Sequence, residues 1–238
     1  MTAAPSSPRR DTVLLDVDGT LVDSTYHHAL AWHRAFRSHG LELPVWRVHR
    51  AVGMGGDRLV GALAGDDVED ELGDALRESW VAEYDRLLDE VSPLPGATDL
   101  VRLLTDRGFR VALASSGKAR HTERALELLG VADLVAAVTT SDDAQSSKPA
   151  PDILKVALER AGGHQALVLG DSTFDVTSAA RLGAPCVALR TGGFGVDELE
   201  RAGAVLVADG LLELLEADWD ELARATPPER ASAEPPLP

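Results

Sequence analysis

Leu14-Leu15-Asp16-Val17-Asp18-Gly19-Thr20-Leu21-Val22-Asp23-Ser24 carries an apolar run into two carboxylates and a glycine turn. Read as a strand, the stretch alternates its side chains, so Asp16 and Asp18 share one face. Two carboxylates placed in this way suit a reaction in which one attacks phosphorus and the other moves a proton beside it. An Asp-x-Asp pair alone also serves as a helix cap, a Ca²⁺ site or a turn, so the remainder of the chain has to discriminate.

The apolar run at 13–17 is the first of six, the others lying at 110–114, 134–138, 166–169, 186–189 and 205–207. They are short and rich in β-branched residues, as buried parallel strands are. Amphipathic segments at 98–107, 119–129, 151–161, 176–182 and 196–202 separate most of them. Strand and helix in alternation predict a doubly wound, Rossmann-like α/β sheet, which binds ligands beyond the carboxyl ends of its strands. Ser115, Lys148 (before Pro149), Asp171 and Asp175 all fall at such ends or in the loops that follow them.

The alternation fails over 24–92, which has no convincing strand but places Ala29, Trp32, Ala35 and Phe36 at helical spacing. Some ~70 residues are too long for a loop in a compact domain, so an all-helical cap is predicted there. The chain re-enters at Pro93-Leu94-Pro95-Gly96. The expected organisation is therefore a core of 12–23 and 93–225, a helical cap of 24–92, and disordered tails at 1–11 and 226–238. The tails are rich in Pro, Ala and Ser and poor in large apolar residues, too few to offset the entropy of ordering them. A helical insertion with both hinges beside the site can exclude water and read the substrate.

Composition sets outer limits. At 238 residues and 45% hydrophobic, the chain can form one large domain or one with an insertion. A formal net charge of −16 argues against nucleic acid, which demands clustered Lys and Arg. No window suits a membrane span, and Met1 to Arg10 lacks the apolar segment of a secretion signal. The lone Cys186 rules out a disulfide within the chain and reads as a small buried hydrophobe, so the reducing cytoplasm is the expected compartment. Oligomeric state is left open.

With these motifs in order, the chain resembles the haloacid dehalogenase superfamily over about 12–215. Among its hydrolases it is most similar to the phosphoglycolate phosphatase and β-phosphoglucomutase branch, whose helical cap follows the first motif. The resemblance implies Mg²⁺-dependent phosphoryl transfer from a small phosphorylated metabolite, with phosphoglycolate as one family-based candidate. It makes Asp16 the nucleophile that becomes an aspartyl-phosphate, and Asp18 the acid and then the base. It assigns Mg²⁺ to the Asp16 carboxylate, the Asp18 carbonyl and Asp171, with Asp175 ligating or orienting. Lys148 would balance charge, and Ser115, with backbone donors of Gly19 and Ser116, would hold the phosphoryl oxygens.

Dehalogenases of this superfamily usually lack an acid at the second position, so Asp18 favours phosphate esters. A phosphosugar mutase is the alternative: His28, Trp32 and Lys118 match the β-phosphoglucomutase pattern. A mutase must also hold a second phosphate in its cap, yet the three lysines, Lys118, Lys148 and Lys155, all lie outside 24–92. Gly56 stands where the mutase-like arginine would be, with Arg58 two residues on. A hydrolase is favoured, with His28, Arg58 and Lys118 as candidate substrate contacts. A phosphoacceptor signalling domain is a more remote alternative, needing neither Asp18 nor the insertion.

Two other stretches resolve more simply. Gly53-Met54-Gly55-Gly56 has the wrong spacing for a nucleotide loop and reads either as a cap loop facing the site or as a surface turn. Asp66-Asp67-Val68-Glu69-Asp70-Glu71 reads as a solvated helix start, where negative charge suits the helix dipole.

Overall fold

Alternation within the apolar runs builds the sheet. The computed structural model describes residues 9–143 and 146–227. In it β1 (Thr12–Leu15) is buried throughout, with Val13 and Leu15 packing on one face and Leu14 on the other. The chain continues through α1 (Thr25–Ser38), α2 (Val45–His49), α3 (Gly56–Ala64) and α4 (Asp66–Asp85) to α5 (Ala97–Asp106). There follow β2 (Arg110–Ala114), α6 (Ala119–Leu129), β3 (Ala137–Thr139), α7 (Asp152–Arg160), β4 (Ala166–Gly170) and α8 (Thr173–Leu182). Next come β5 (Cys186–Leu189), α9 (Val196–Ala202), β6 (Leu206–Ala208), α10 (Leu211–Leu214) and α11 (Trp219–Leu222).

The six strands are parallel, in the order β3-β2-β1-β4-β5-β6. Val111 and Leu113 of β2, Leu167 and Leu169 of β4, and Val187 and Leu189 of β5 pack on the same side as Val13 and Leu15, against α5 and α10. The intervening Ala112, Val168 and Ala188 pack on the other side, against Ile153 and Leu154 of α7 and Val176 of α8. Helices on both faces explain why the runs are apolar at successive positions. From β1 the order runs outward in both directions, so a crevice opens at the carboxyl ends of β1 and β4, the place where such sheets bind ligands.

Residues 25–85 hold four helices and no strand. Their two linkers lie side by side: the Asp23 N–H donates to the Ser92 carbonyl and the Leu94 N–H to the Leu21 carbonyl, each at 2.9 Å. Both linkers therefore leave the core next to Asp16 and Asp18.

The sequence reading differs from the structure in several places. At 134–138 only the end is strand, because the Leu134 N–H turns back to the Val131 carbonyl at 2.9 Å. Helix α8 starts at Thr173 rather than 176, because Ser172 and Asp175 form a capping box. Helices α10 and α11 were not anticipated; fully buried Trp219 anchors them, its indole N–H donating to the Leu214 carbonyl at 2.8 Å.

The expected disordered start needs correcting at residues 9–11. The Arg10 N–H donates to the Ala223 carbonyl at 3.1 Å, and Arg9 pairs with Asp220 at 2.6 Å. Helix α11 thus supplies partners that composition alone conceals. The tail expectations for 1–8 and 228–238 lie outside the described residues, and Thr226 and Pro227 belong to no regular element. Among the described residues no helix is long and apolar enough to cross a membrane. Cys186 is buried, and burial pushes its thiol well above the ordinary range, as befits an inert packing residue.

Candidate active site

Asp16 follows β1 directly, its N–H donating to the Leu169 carbonyl of β4 at 2.9 Å. That bond fixes it at the crevice between the two strands. The turn after it requires Gly19, whose φ is +75°, and a Cβ there would stand 2.1 Å from both Asp171 Oδ2 and Thr25 Oγ1. Gly19→Ala is expected to destabilise the protein by ~1–3 kcal/mol and, by displacing Asp171, to lower activity at least about tenfold. A thermal melt alongside a rate assay checks both.

Lys148 is only 1% exposed, and its ammonium lies between Asp16 Oδ1 and Asp175 Oδ1, the latter at 2.6 Å. The other Asp175 oxygen accepts from the Ser172 hydroxyl at 2.6 Å and the Ser172 N–H at 3.1 Å. Asp175 thus holds the start of α8 and the lysine at once. Asp171 accepts from Thr25 Oγ1 at 3.2 Å and Thr20 Oγ1 at 3.4 Å.

These groups leave negative charge in excess, three buried carboxylates facing one ammonium. Burial pushes the Asp16 carboxyl up to about 7, with Asp175 and Asp18 adding repulsion against the attraction of Lys148. Burial likewise raises Asp171 well above the usual carboxylate range, reinforced by Asp175 and Asp16. Burial disfavours the charged form of Lys148, but Asp16 and Asp175 outweigh it and hold the amine protonated. Oxygens of Asp16, Asp171 and Asp175 lie within 4.8 Å of one another. An all-carboxylate donor set with surplus negative charge fits a hard divalent cation such as Mg²⁺.

Asp18 sits in a separate hydrogen-bond cluster. Its Oδ1 accepts from the Ser24 hydroxyl at 2.7 Å and lies 3.0 Å from His28 Nε2, while Oδ2 accepts from Ser115 Oγ at 3.4 Å. Burial would raise its carboxyl, but His28 and Ser24 outweigh that and hold it at about 2. The Ser115 oxygen accepts the Gly117 N–H at 2.9 Å, and Lys118 is the residue at the N-cap of α6. Ser115 therefore bonds Asp18 and the loop backbone rather than capping that helix.

The carboxylates open on a small chamber of about 60 Å³, lined by Asp16, Asp18, His28, Ser116, Lys148 and Asp171. Met54 and Gly53 line it too, so the glycine loop faces the site. A second chamber of about 200 Å³ shares Gly56, Trp80 and Ser116 with the first and adds Arg77 and Lys118. Gly19 and Ser115 stand behind the lining. Arg58, on α3, lines neither chamber. At Gly56 the indole of Trp32 fills the space an arginine would need, 3.1 Å from where a Cβ would be.

Sequence reasoning missed Ser24, Thr20, Thr25, Arg77, Trp80 and Tyr84. A signal existed for two of them: His28 and Trp32 on α1, and Trp80 and Tyr84 on α4, are both spaced four apart. The helices match these pairs, His28 stacking on Tyr84 at 3.8 Å and Trp32 on Trp80 at 5.2 Å between ring centroids.

The helical segment is tied to the sheet domain at two places around the chamber. Asp85 at the end of α4 binds Arg120 and, at 2.9 Å, His121 of α6. On the other side Arg50 pairs with Glu198 at 2.5 Å, and His49 Nε2 meets the Gly192 carbonyl at 2.9 Å.

Comparison with known proteins agrees with this geometry. The family model of haloacid dehalogenase-like hydrolases matches residues 10–183. A phosphoglycolate phosphatase of Rhodospirillum rubrum is 32% identical, over 87% of this chain and 89% of its own. A validoxylamine A 7'-phosphate phosphatase of Streptomyces hygroscopicus subsp. limoneus is 30% identical, over 88% and 96% respectively. The crystal structure of a hydrolase from Pseudomonas syringae superposes with a TM-score of 0.82 at 33% identity, covering 87% of this chain and 96% of that one. On the match across most of its length and on these relatives, the chain belongs to the haloacid dehalogenase-like hydrolases.

Proposed function

We propose that this protein is a Mg²⁺-dependent phosphomonoesterase that cleaves a small organic phosphate through a phosphorylated Asp16. The observation that carries this reading is the meeting of Asp16, Asp18, Lys148 and Asp171 on one small chamber. The phosphatases among its relatives support it.

In this reading an Asp16 carboxylate oxygen attacks phosphorus in line, the phosphorus–oxygen bond to the alcohol breaks, and the leaving oxygen takes a proton from Asp18. Asp18 then accepts a proton from water as the water oxygen attacks the aspartyl-phosphate, releasing phosphate and restoring Asp16. In the chain alone Asp18 is a carboxylate; the charge of an incoming phosphate dianion raises it toward the acid form. Ser24 and His28 fix its direction, and Ser115 with the backbone of Gly19 and Ser116 would hold the phosphoryl oxygens. Lys148 favours the ionised form of Asp16 against its burial and aims it, and Asp175 keeps Lys148 in place. Held by Asp16, Asp171 and the Asp18 carbonyl, with Asp175 orienting them, Mg²⁺ would supply the positive charge that lets a phosphate dianion approach these carboxylates. Helices α1 to α4 would act as a cap that excludes water.

Phosphate release from a panel of phosphomonoesters, phosphoglycolate and hexose phosphates included, should depend on Mg²⁺ and stop with a chelator. Release at full rate in the chelator would overturn the metal assignment, and no release from any ester would overturn the hydrolase. At a hundredfold excess over its Kd, Mg²⁺ should also stabilise the fold by ~2.7 kcal/mol, visible as a raised Tm.

A mutase reading draws on His28 and Trp32 in the first chamber and on Lys118 and Arg77 in the second. Arg77, however, is bound by Glu69 at 2.8 Å and Asp74 at 2.9 Å, and Lys118 by Asp142 at 3.3 Å. A second phosphate would have to displace these carboxylates, so the hydrolase is favoured. Conversion of β-glucose 1-phosphate in the presence of a bisphosphate primer would reverse that preference.

A further inference from the structure

Trp80 lines both chambers and is 8% exposed, yet its indole N–H has no hydrogen-bond partner. An indole N–H can only donate, and a buried donor left unpaired is costly, so it ordinarily has an acceptor. The ring is fixed by stacking on Trp32 at 5.2 Å. The Ser116 hydroxyl, which also lines both chambers, is likewise buried without a partner. His28, which lines the first chamber, also keeps its Nδ1 unpartnered, but Trp80 and Ser116 are the two such residues that border both chambers, and they await something that enters there.

The charges around them narrow what that can be. The first chamber is lined by apolar Val52, Met54 and Leu59 as well as by Asp16, Asp18 and Asp171. Among its described lining residues Lys148 is the one Lys or Arg, and it is held between Asp16 and Asp175. In the second chamber Arg77 and Lys118 already pair with acids. A leaving group bearing its own carboxylate would meet carboxylates and no unengaged cation among these residues. A neutral alcohol with hydroxyl groups would instead satisfy Trp80 and Ser116 and rest its carbon skeleton on the apolar wall.

We propose that Trp80 is a specificity-determining residue whose indole N–H donates to an oxygen of the leaving alcohol, so that the site takes phosphate esters of neutral, hydroxylated alcohols over esters of carboxylated ones. The inference rests on the phosphatase reading above and narrows its substrate class.

The test compares kcat/KM for three esters of similar size: glycerol 3-phosphate, propyl phosphate and phosphoglycolate. The natural sequence should rank them in that order. Trp80→Phe keeps an aromatic ring beside Trp32 and removes the N–H, and should lower the ratio of glycerol 3-phosphate to propyl phosphate about tenfold, the worth of one hydrogen bond. Ser116→Ala should lower the same ratio and carries the test if Trp80→Phe fails to fold. Phosphoglycolate ranked first, or a ratio unchanged in the folded variants, would overturn the inference while leaving the phosphatase standing. No phosphate from any ester, on the wider panel as well, would remove the phosphatase reading and this inference with it.

Discussion

Asp16→Asn should lower phosphate release at least about a thousandfold while leaving the fold intact. The amide is nearly isosteric with the carboxylate but has no charged oxygen to attack phosphorus, so the covalent step loses its nucleophile. The fold should tolerate the change for an electrostatic reason. Asp16 and Asp175 share one ammonium beside Asp171, and burial together with repulsion from Asp175 and Asp18 already raises Asp16 to about 7. Removing one of the three carboxylates relieves repulsion, and Lys148 keeps Asp175 at 2.6 Å. A melt should show a Tm equal to the natural protein's or above it, while the rate assay shows almost nothing. An undiminished rate would remove Asp16 from the role of nucleophile.

Lys148→Met should have the opposite balance, losing stability as well as activity. Lys148 is buried to 1% exposure, and without it Asp16 and Asp175 keep their burial and lose their counter-charge. Breaking a buried pair by removing one partner costs ~3–5 kcal/mol, which at roughly 2–4 °C per kcal/mol lowers Tm by roughly 6–20 °C. Methionine fills most of the lysine's volume, so the loss reports charge rather than a cavity. Mg²⁺ should restore part of the lost Tm, because it supplies positive charge to the same carboxylates, but not the rate. A Tm unchanged in the absence of Mg²⁺ would show that Lys148 is not the residue holding this cluster together.

Much of the site was legible in the sequence because its residues sit at fixed places on a periodic scaffold. A strand buried on both faces must be apolar at successive positions, so β1, β2, β4 and β5 stand out, and a carboxylate just beyond one is conspicuous. Asp175 was found for its charge, but its second task, capping α8 through Ser172, was equally present in the Ser-x-x-Asp spacing. What stayed hidden depends on contacts between distant segments. Trp80 and Tyr84 look like ordinary core residues of α4 until α1 places His28 and Trp32 against them. Arg9 and Arg10 look like part of a loose tail until α11 offers Asp220 and the Ala223 carbonyl. Arg58, close in sequence to the glycine loop, lines neither chamber, whereas Gly53 and Met54 of the loop itself form part of the wall.

The decisive chemistry can be observed on the chain itself. Protein quenched in acid during turnover of its best ester with Mg²⁺, then digested and mapped by mass spectrometry, should carry a phosphoryl group on the carboxylate of Asp16. That group should vanish when the substrate is exhausted before the quench. A phosphoryl group on a different residue would contradict covalent transfer through Asp16. One that persists on Asp16 with no phosphate released would contradict the hydrolase and point to a phosphoacceptor.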